Sequence, residues 1–371
     1  MTETGKFVCT TCGKIYPLDT RDWRCGCGGL YDLQAWPAFE AARIDAAQPG
    51  LWRYRALLPL DPNWEPVTLG EGHTPLLAAE WHGQAIRFKL ESLCPTGSFK
   101  DRGAAVLTTA LRGLSIELVV EDSSGNAGAS LAAYTARAGI ACEICVPSTA
   151  AGPKLAQMSA YGAEVIEIKG RREYAALAAW AAAAHGAYYA SHLYNPWFLA
   201  GVETLAYELW EQLGHAAPGA LVLPVGNGTL LLGVHHGFRR LWQAGLIPRL
   251  PRLFTVQAAA CAPIHQAFVR GQEIVEPVVA TQTAASGITI SQPARGAQIL
   301  AAVRESGGAV LAVAEDEIAL AHGQLAQRGF YVEETSAVAV AALAGLRDAL
   351  PASEPVVVLL TGHGLKTCAS L

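Results

Sequence analysis

Two α/β domains with parallel-rich sheets flanked by helices, plus a small four-cysteine ribbon at the N-terminus, are what this sequence predicts. Three observations carry that expectation. From about residue 85 onward, short apolar runs alternate with Ala- and Leu-rich helical stretches, the pattern of parallel sheets covered on both faces. At 371 residues the chain exceeds one ordinary domain and suits two packed units with an appendage. Four cysteines are crowded among glycines between residues 9 and 29.

Composition narrows the function classes. Hydrophobic residues make up 51% and charged residues 16% of the chain, enough for a large core, while no apolar run reaches the roughly 20 residues of a membrane span. A net charge of −5 offers no basic surface for nucleic acid or an anionic membrane. A small-molecule substrate is expected instead. The opening Met1-Thr2-Glu3-Thr4-Gly5-Lys6 lacks the layout of a secretory signal, so a cytoplasmic location with reduced thiols is expected. The nine cysteines are then not a disulfide framework.

Taken in order, residues 1–35 hold Cys9-x2-Cys12 and Cys25-x-Cys27, twelve residues apart and flanked by Gly13, Gly26, Gly28 and Gly29. Glycines let two turns wrap a tetrahedral thiolate site, as in a zinc ribbon. A metal-free knuckle is the other reading. Four protein thiolates leave no open position, so a zinc ion here is structural. Residues 36–66 are rich in Pro, Trp and Arg and read as a connector, followed at Leu69–Leu76 by a turn into an extended segment. Strands are expected at 85–90, 116–121, 140–146, 163–168, 220–225, 252–257 and 355–360. Helices are expected at 103–113, 126–138, 152–161, 171–185, 200–213, 230–244, 315–328 and 336–349. Cys142 and Cys145, three apart on one strand, point to opposite faces and read as core, as do Cys261 and Cys368.

Binding sites in such sheets gather where strands give way to helices, and four such corners stand out. Gly97-Ser98-Phe99-Lys100-Asp101-Arg102-Gly103 places a lysine where desolvation can remove its proton, as a Schiff-base lysine requires; an ordinary capped helix start is the alternative. Ser123-Ser124-Gly125-Asn126-Ala127 opens an Ala-rich helix and presents backbone N–H groups to an anion such as an amino-acid carboxylate; alone it is also a good N-cap. Val225-Gly226-Asn227-Gly228-Thr229 can cup a phosphate. It is not a dinucleotide fingerprint, since Leu231 stands where a third Gly is required. Thr361, after the strand ending at Leu360, can meet a ring nitrogen.

With these motifs the chain resembles the threonine synthase family of fold type II pyridoxal phosphate (PLP) enzymes, from the cysteine ribbon through Lys366. The resemblance implies a larger PLP-binding domain from 36–103 and 196–371 and a smaller one from 104–195. It implies Lys100 as the lysine that carries PLP, Phe99 and Asn126 as contacts to its ring and phenolic oxygen, Val225 to Thr229 as the phosphate loop, and Thr361 as the partner of its ring nitrogen. Ser123 to Ala127 then hold the carboxylate of a small amino-acid substrate. A homodimer is also implied. Threonine synthase is the first named activity, by α-proton abstraction, elimination at Cβ or Cγ and addition of water or another nucleophile.

The departures bear on the substrate. Where the family carries Asn-Ser, Asn-Pro-aromatic-Arg and Gly-Gln-Lys-Thr, this chain has His192-Leu193, Asn195-Pro196-Trp197-Phe198 and Gly201-Val202-Glu203-Thr204. Phe198 replaces the arginine and Glu203 the lysine that help hold the phosphate of O-phosphohomoserine. A buried dianion would lack charge-assisted partners there. An ammonia-lyase or β-replacing synthase acting on unphosphorylated serine, threonine or diaminopropionate is therefore the alternative, and a non-catalytic zinc-ribbon binding protein on a PLP fold the alternative of another class.

Overall fold

A computed structural model describes residues 5–34, 38–150, 152–170, 172–351 and 353–367. In chain order the strands are β1 (Lys6–Cys9), β2 (Ile15–Pro17), β3 (Tyr31–Gln34), β4 (Leu76–Trp81), β5 (Gln84–Lys89), β6 (Leu118–Glu121), β7 (Ala141–Pro147), β8 (Glu164–Ile168), β9 (Tyr188–Tyr189), β10 (Ala220–Pro224), β11 (Arg252–Ala258), β12 (Ala309–Val313) and β13 (Val356–Leu359). The helices are α1 (Lys100–Gly113), α2 (Asn126–Ala138), α3 (Pro153–Ala160), α4 (Arg172–Ala184), α5 (Pro196–Gln212), α6 (Thr229–Gln243), α7 (Pro263–Val269), α8 (Gly296–Glu305), α9 (Glu315–Gln327) and α10 (Glu334–Ala341). Two compact units result, one running to Gly72 and then from Lys100 to Thr204, the other from His73 to Phe99 and then from Leu205 to Thr367.

In the first unit β6 to β9 form a parallel sheet in the order β8-β7-β6-β9. Val119, Val120, Ile144 and Val146 are buried in it, as strands sandwiched between helices require. Cys142 and Cys145 are buried as expected; Cys368 lies outside the described residues. The ribbon is a separate antiparallel sheet, β2-β1-β3. It packs through aromatic rings: Phe7 stands edge-on to Trp197 at 5.1 Å, and Trp23 meets Tyr189 at 4.7 Å and Tyr194 at 4.9 Å.

Residues 38–72, part of the stretch that the family resemblance grouped with the larger domain, cluster with this first unit. The buried carboxylate of Glu71 is one of the ties, beside Val67 N to Thr109 Oγ1 at 2.9 Å and Trp197 Nε1 to Pro59 O at 3.1 Å. It accepts hydrogen bonds from Trp52 Nε1 at 2.6 Å, Tyr134 Oη at 2.7 Å and the Leu69 amide at 2.9 Å, so the connector is tied to α2.

The second unit is built on a six-stranded sheet, β12-β11-β10-β13-β5-β4, parallel throughout except for β4 against β5. Val222 on the fully buried β10 lies between Phe254 and Val358. Lys89, at the end of β5, is buried, and donates to Thr74 O at 2.6 Å and Gln212 Oε1 at 2.8 Å while pairing with Glu208. The expected helix over 336–349 divides into α10 and a short turn at Leu343–Leu346, with Ala342 still near helical (φ −72°, ψ −14°) between them. β12, α7 and α8 were not expected; at five, seven and ten residues they are too short for their periodicity to stand out. Among the described residues, no helix is long and apolar enough to cross a membrane.

Candidate active site

The candidate site residues form two groups, each within one unit. In the first, Lys100 opens α1. Burial draws its ammonium down to about 8, with the nearby Glu121 carboxylate acting in the opposite direction. Asp101 is buried and accepts from Ser130 Oγ at 2.6 Å, a bond that fixes the start of α1 to α2. The Ser123–Ala127 loop runs from the end of β6 into α2. Gly125 N donates to Ser123 Oγ at 3.3 Å, and Gly125 caps α2 without a side-chain bond. A Cβ at Gly128 would overlap the Ser123 carbonyl, so the loop closes on the helix only with glycine there. The first turn of α2 thereby suits an anion.

Glu121 closes β6, and β9 pairs parallel with β6 through Val120 and Tyr189. That register carries His192, three residues beyond β9, to Glu121: Nδ1 lies 2.8 Å from Oε1. Burial, assisted by Asp122, pushes the Glu121 acid up to about 8. Burial also holds His192 well below its ordinary value, with the Lys100 and Arg172 charges acting the same way. Phe198 packs its ring 5.6 Å from Lys100 Nζ and 5.7 Å from the His192 ring. Gly103 makes room for it, since a Cβ there would come within 2.5 Å of the ring.

In the second unit, β10 and β13 are parallel neighbours, so the loop after one and Thr361 after the other lie at the same end of the sheet. Gly228 has φ +83° and caps α6 with no side-chain bond. A Cβ at Gly226 would come within 2.9 Å of Ile288 Cα, and one at Gly228 would overlap Ile299. Only glycines keep this backbone turn, and it fits a phosphate against the first amides of α6. Thr361 is buried and its Oγ1 lies 3.1 Å from Ser336 Oγ, which also accepts the amides of Thr361 at 2.9 Å and Gly362 at 3.1 Å. Phe99 N donates to Thr361 O at 3.1 Å, which brings those two expected ring contacts together. The chain passes from the second unit to the first at the Phe99–Lys100 peptide.

A second candidate centre lies in the ribbon. The sulfurs of Cys9, Cys12, Cys25 and Cys27 lie within 4.8 Å of one another, with Cys9 to Cys27 at 3.5 Å and Cys12 to Cys25 at 3.6 Å. Zinc–sulfur bonds of about 2.3 Å in a tetrahedron place sulfurs roughly 3.8 Å apart, so the donor set fits zinc.

Sequence reading missed Ser336, the Asp101–Ser130 bond and the Glu121–His192 pair. A glutamate closing the apolar run Leu118-Val119-Val120 was the one local signal for the pair; Ser336 left none, because its partner is 25 residues away.

The pattern of the family described as pyridoxal-phosphate dependent enzyme matches residues 67–362. The threonine synthase of Methanocaldococcus jannaschii is 35% identical, over 96% of this chain and 92% of its own. That of Mycobacterium bovis is 38% identical, over 90% of this chain and 89% of its own. Among solved structures, a serine racemase from Dictyostelium discoideum superposes with a TM-score of 0.66 at 26% identity, covering 80% of this chain and 93% of its own. This chain therefore belongs to the pyridoxal-phosphate dependent enzyme family and, within it, is a PLP-dependent lyase of the threonine synthase type.

Proposed function

We propose that the chain catalyses elimination, with or without replacement, at Cβ or Cγ of an amino acid, with Lys100 as the base. The placement of Lys100, half-buried at the first turn of α1 beside the Ser123–Ala127 loop's own helix α2 through the Asp101–Ser130 bond, is the observation that carries this reading, and desolvation there draws its pKa down to about 8. PLP, when bound, withdraws electrons from the substrate's α-carbon and makes its proton acidic. Lys100 Nζ would hold the cofactor and then, once displaced by substrate, take the α-proton. The amides of Ser123 to Ala127 and the side chain of Asn126 would fix the substrate carboxylate and the cofactor's phenolic oxygen. Val225 to Thr229 would receive the phosphate and Thr361, oriented by Ser336, would meet the ring nitrogen. A neutral hydroxyl there leaves that nitrogen unprotonated, which favours elimination over transamination.

Threonine formation from O-phosphohomoserine is the first activity to assay, because curated relatives at 35–38% identity are threonine synthases. A second reading, lysis of an unphosphorylated amino acid, is favoured by Phe198 packed beside Lys100. Holoenzyme supplied with O-phosphohomoserine, serine, threonine and diaminopropionate should release phosphate, keto acid or ammonia from at least one. Release from none would overturn the proposal.

The rate at which apo-protein captures the cofactor should depend on the neutral amine of Lys100. Because the folded protein lowers that group from 10.5 to about 8, the neutral fraction grows as pH rises through 8. Capture followed by visible absorbance should show an inflection there; one near the ordinary lysine value would contradict the assignment.

The cysteine cluster supports a structural zinc. Purified protein should carry one zinc per chain by atomic absorption. Stripping it, or Cys25→Ser, should loosen the ribbon and change the fluorescence of Trp23 and Trp197, which pack on and against it. A metal-free, unaltered ribbon would contradict this. A homodimer is the assembly the family resemblance supports.

A further inference from the structure

Next to Lys100 the first unit holds a buried acid–imidazole pair that none of these roles uses. The side chains of Glu121 and His192 are only 2% and 11% exposed. Nδ1 of His192 meets Glu121 Oε1 at 2.8 Å, and Glu121 Oε2 has no hydrogen-bond partner among the described residues. Nε2 is then the imidazole atom that remains for a substrate. The groups facing the pair are Lys100 from α1, Asp122 beside Glu121, Arg172 from α4 and the Phe198 ring from α5. Arg172 is half exposed and pairs with Asp122 at 3.6 Å. Such a setting is poor for a dianion but well made for moving one proton without net charge.

We propose that His192, held by Glu121, is the acid that protonates a hydroxyl leaving group of the substrate. The proposal rests on the elimination reading above and assigns the substrate class, an unphosphorylated hydroxy amino acid. Hydroxide is a poor leaving group, so the carbon–oxygen bond breaks with its electron pair going to oxygen only as a proton arrives. His192 Nε2–H supplies it, and Nδ1 takes the carboxyl proton of Glu121, so water departs. Glu121 is left as carboxylate, while Lys100 has become ammonium by taking the α-proton. Return of that proton from Lys100 to His192 Nε2, with the Nδ1 proton passing back to Glu121 Oε1, resets all three groups. The resting pair is neutral because burial keeps the Glu121 acid protonated and His192 uncharged. A phosphate leaving group would need no such donor.

β-Chloroalanine separates this role from a structural one, because chloride leaves without a proton. Wild-type holoenzyme should turn over serine or threonine and also β-chloroalanine. His192→Gln and Glu121→Gln should lower kcat on the hydroxy amino acids by roughly a hundredfold or more with KM little changed, and alter β-chloroalanine turnover by less than about threefold. His192→Asn repeats the test if the glutamine variant does not fold. Independently of turnover, nitrogen-15 NMR of histidine in the full-length protein should show His192 protonated on Nε2 and accepting at Nδ1 through neutral pH, with the Nδ1 signal moved by Glu121→Gln. Equal losses on both substrate classes, unaffected hydroxy-acid turnover in the variants, or wild-type turnover of β-chloroalanine alone would each overturn the proposal. Absence of any wild-type turnover, β-chloroalanine included, would instead overturn the elimination reading on which it rests.

Discussion

Replacing Lys100 with alanine will leave a folded protein whose turnover has fallen by about four orders of magnitude or more. One amine is assigned two tasks, holding the cofactor and taking the α-proton, and a positioned proton-transfer group alone contributes about 10²- to 10⁴-fold. Arginine at this position should be as inactive as alanine, since a guanidinium does not lose its proton in the protein. The fold should not suffer. Lys100 sits at the positive end of a helix, where a cation is disfavoured, and burial disfavours its charged form further. Below pH 8 the folded state therefore bears a cost for the protonated amine that alanine removes. Apo-protein melting temperatures should be equal, or higher for Lys100→Ala, while the absorbance of lysine-bound cofactor and product release are both lost. Retained turnover in either variant would remove Lys100 from the mechanism.

The parallel sheets were legible because buried strands such as Ala220–Pro224 and Val356–Leu359 are continuous apolar runs, and the glycine turns because close backbone approach excludes every other residue at Gly226 and Gly228. Lys100 could be read from its corner between apolar strand and helix. What escaped depends on register between distant segments. Glu121 and His192 are 71 residues apart and meet only because β9 pairs with β6, while Ser336 reaches Thr361 from α10. The connector before Gly72 was placed by the family resemblance, whereas the buried Glu71 carboxylate and bonds such as Val67 N to Thr109 Oγ1 and Trp197 Nε1 to Pro59 O hold it to the first unit. Side chains that act across the fold leave weaker local traces than the backbone turns they serve.

O-Phosphohomoserine should be a poor substrate, with kcat/KM roughly a hundredfold or more below that of the best hydroxy amino acid. Two cations that the family resemblance places around the phosphate are Phe198 and Glu203 here, both 2% exposed. A hydrogen bond to a charged group contributes about 1.5–3 kcal/mol. Losing two therefore costs about 3–6 kcal/mol, or roughly 10²- to 10⁴-fold at 1.4 kcal/mol per tenfold. Glu121, close enough to Lys100 to affect its titration, adds repulsion whenever it ionises. Phe198→Arg should narrow the gap between substrates and also lower the melting temperature, because the ring rests on the open face of Gly103 and a guanidinium there must be desolvated. The measurement is competition between O-phosphohomoserine and serine or threonine, reading phosphate against keto acid. Efficient phosphate release by the unaltered protein would show that other groups compensate the missing cations, and the hydroxy-acid assignment would fall. If keto acid forms and phosphate does not, the substitutions at 198 and 203 mark a change of substrate on an unchanged elimination site. Lys100 and the carboxylate loop would serve both chemistries, while the side-chain pocket, which alone meets the leaving group, sets which one proceeds.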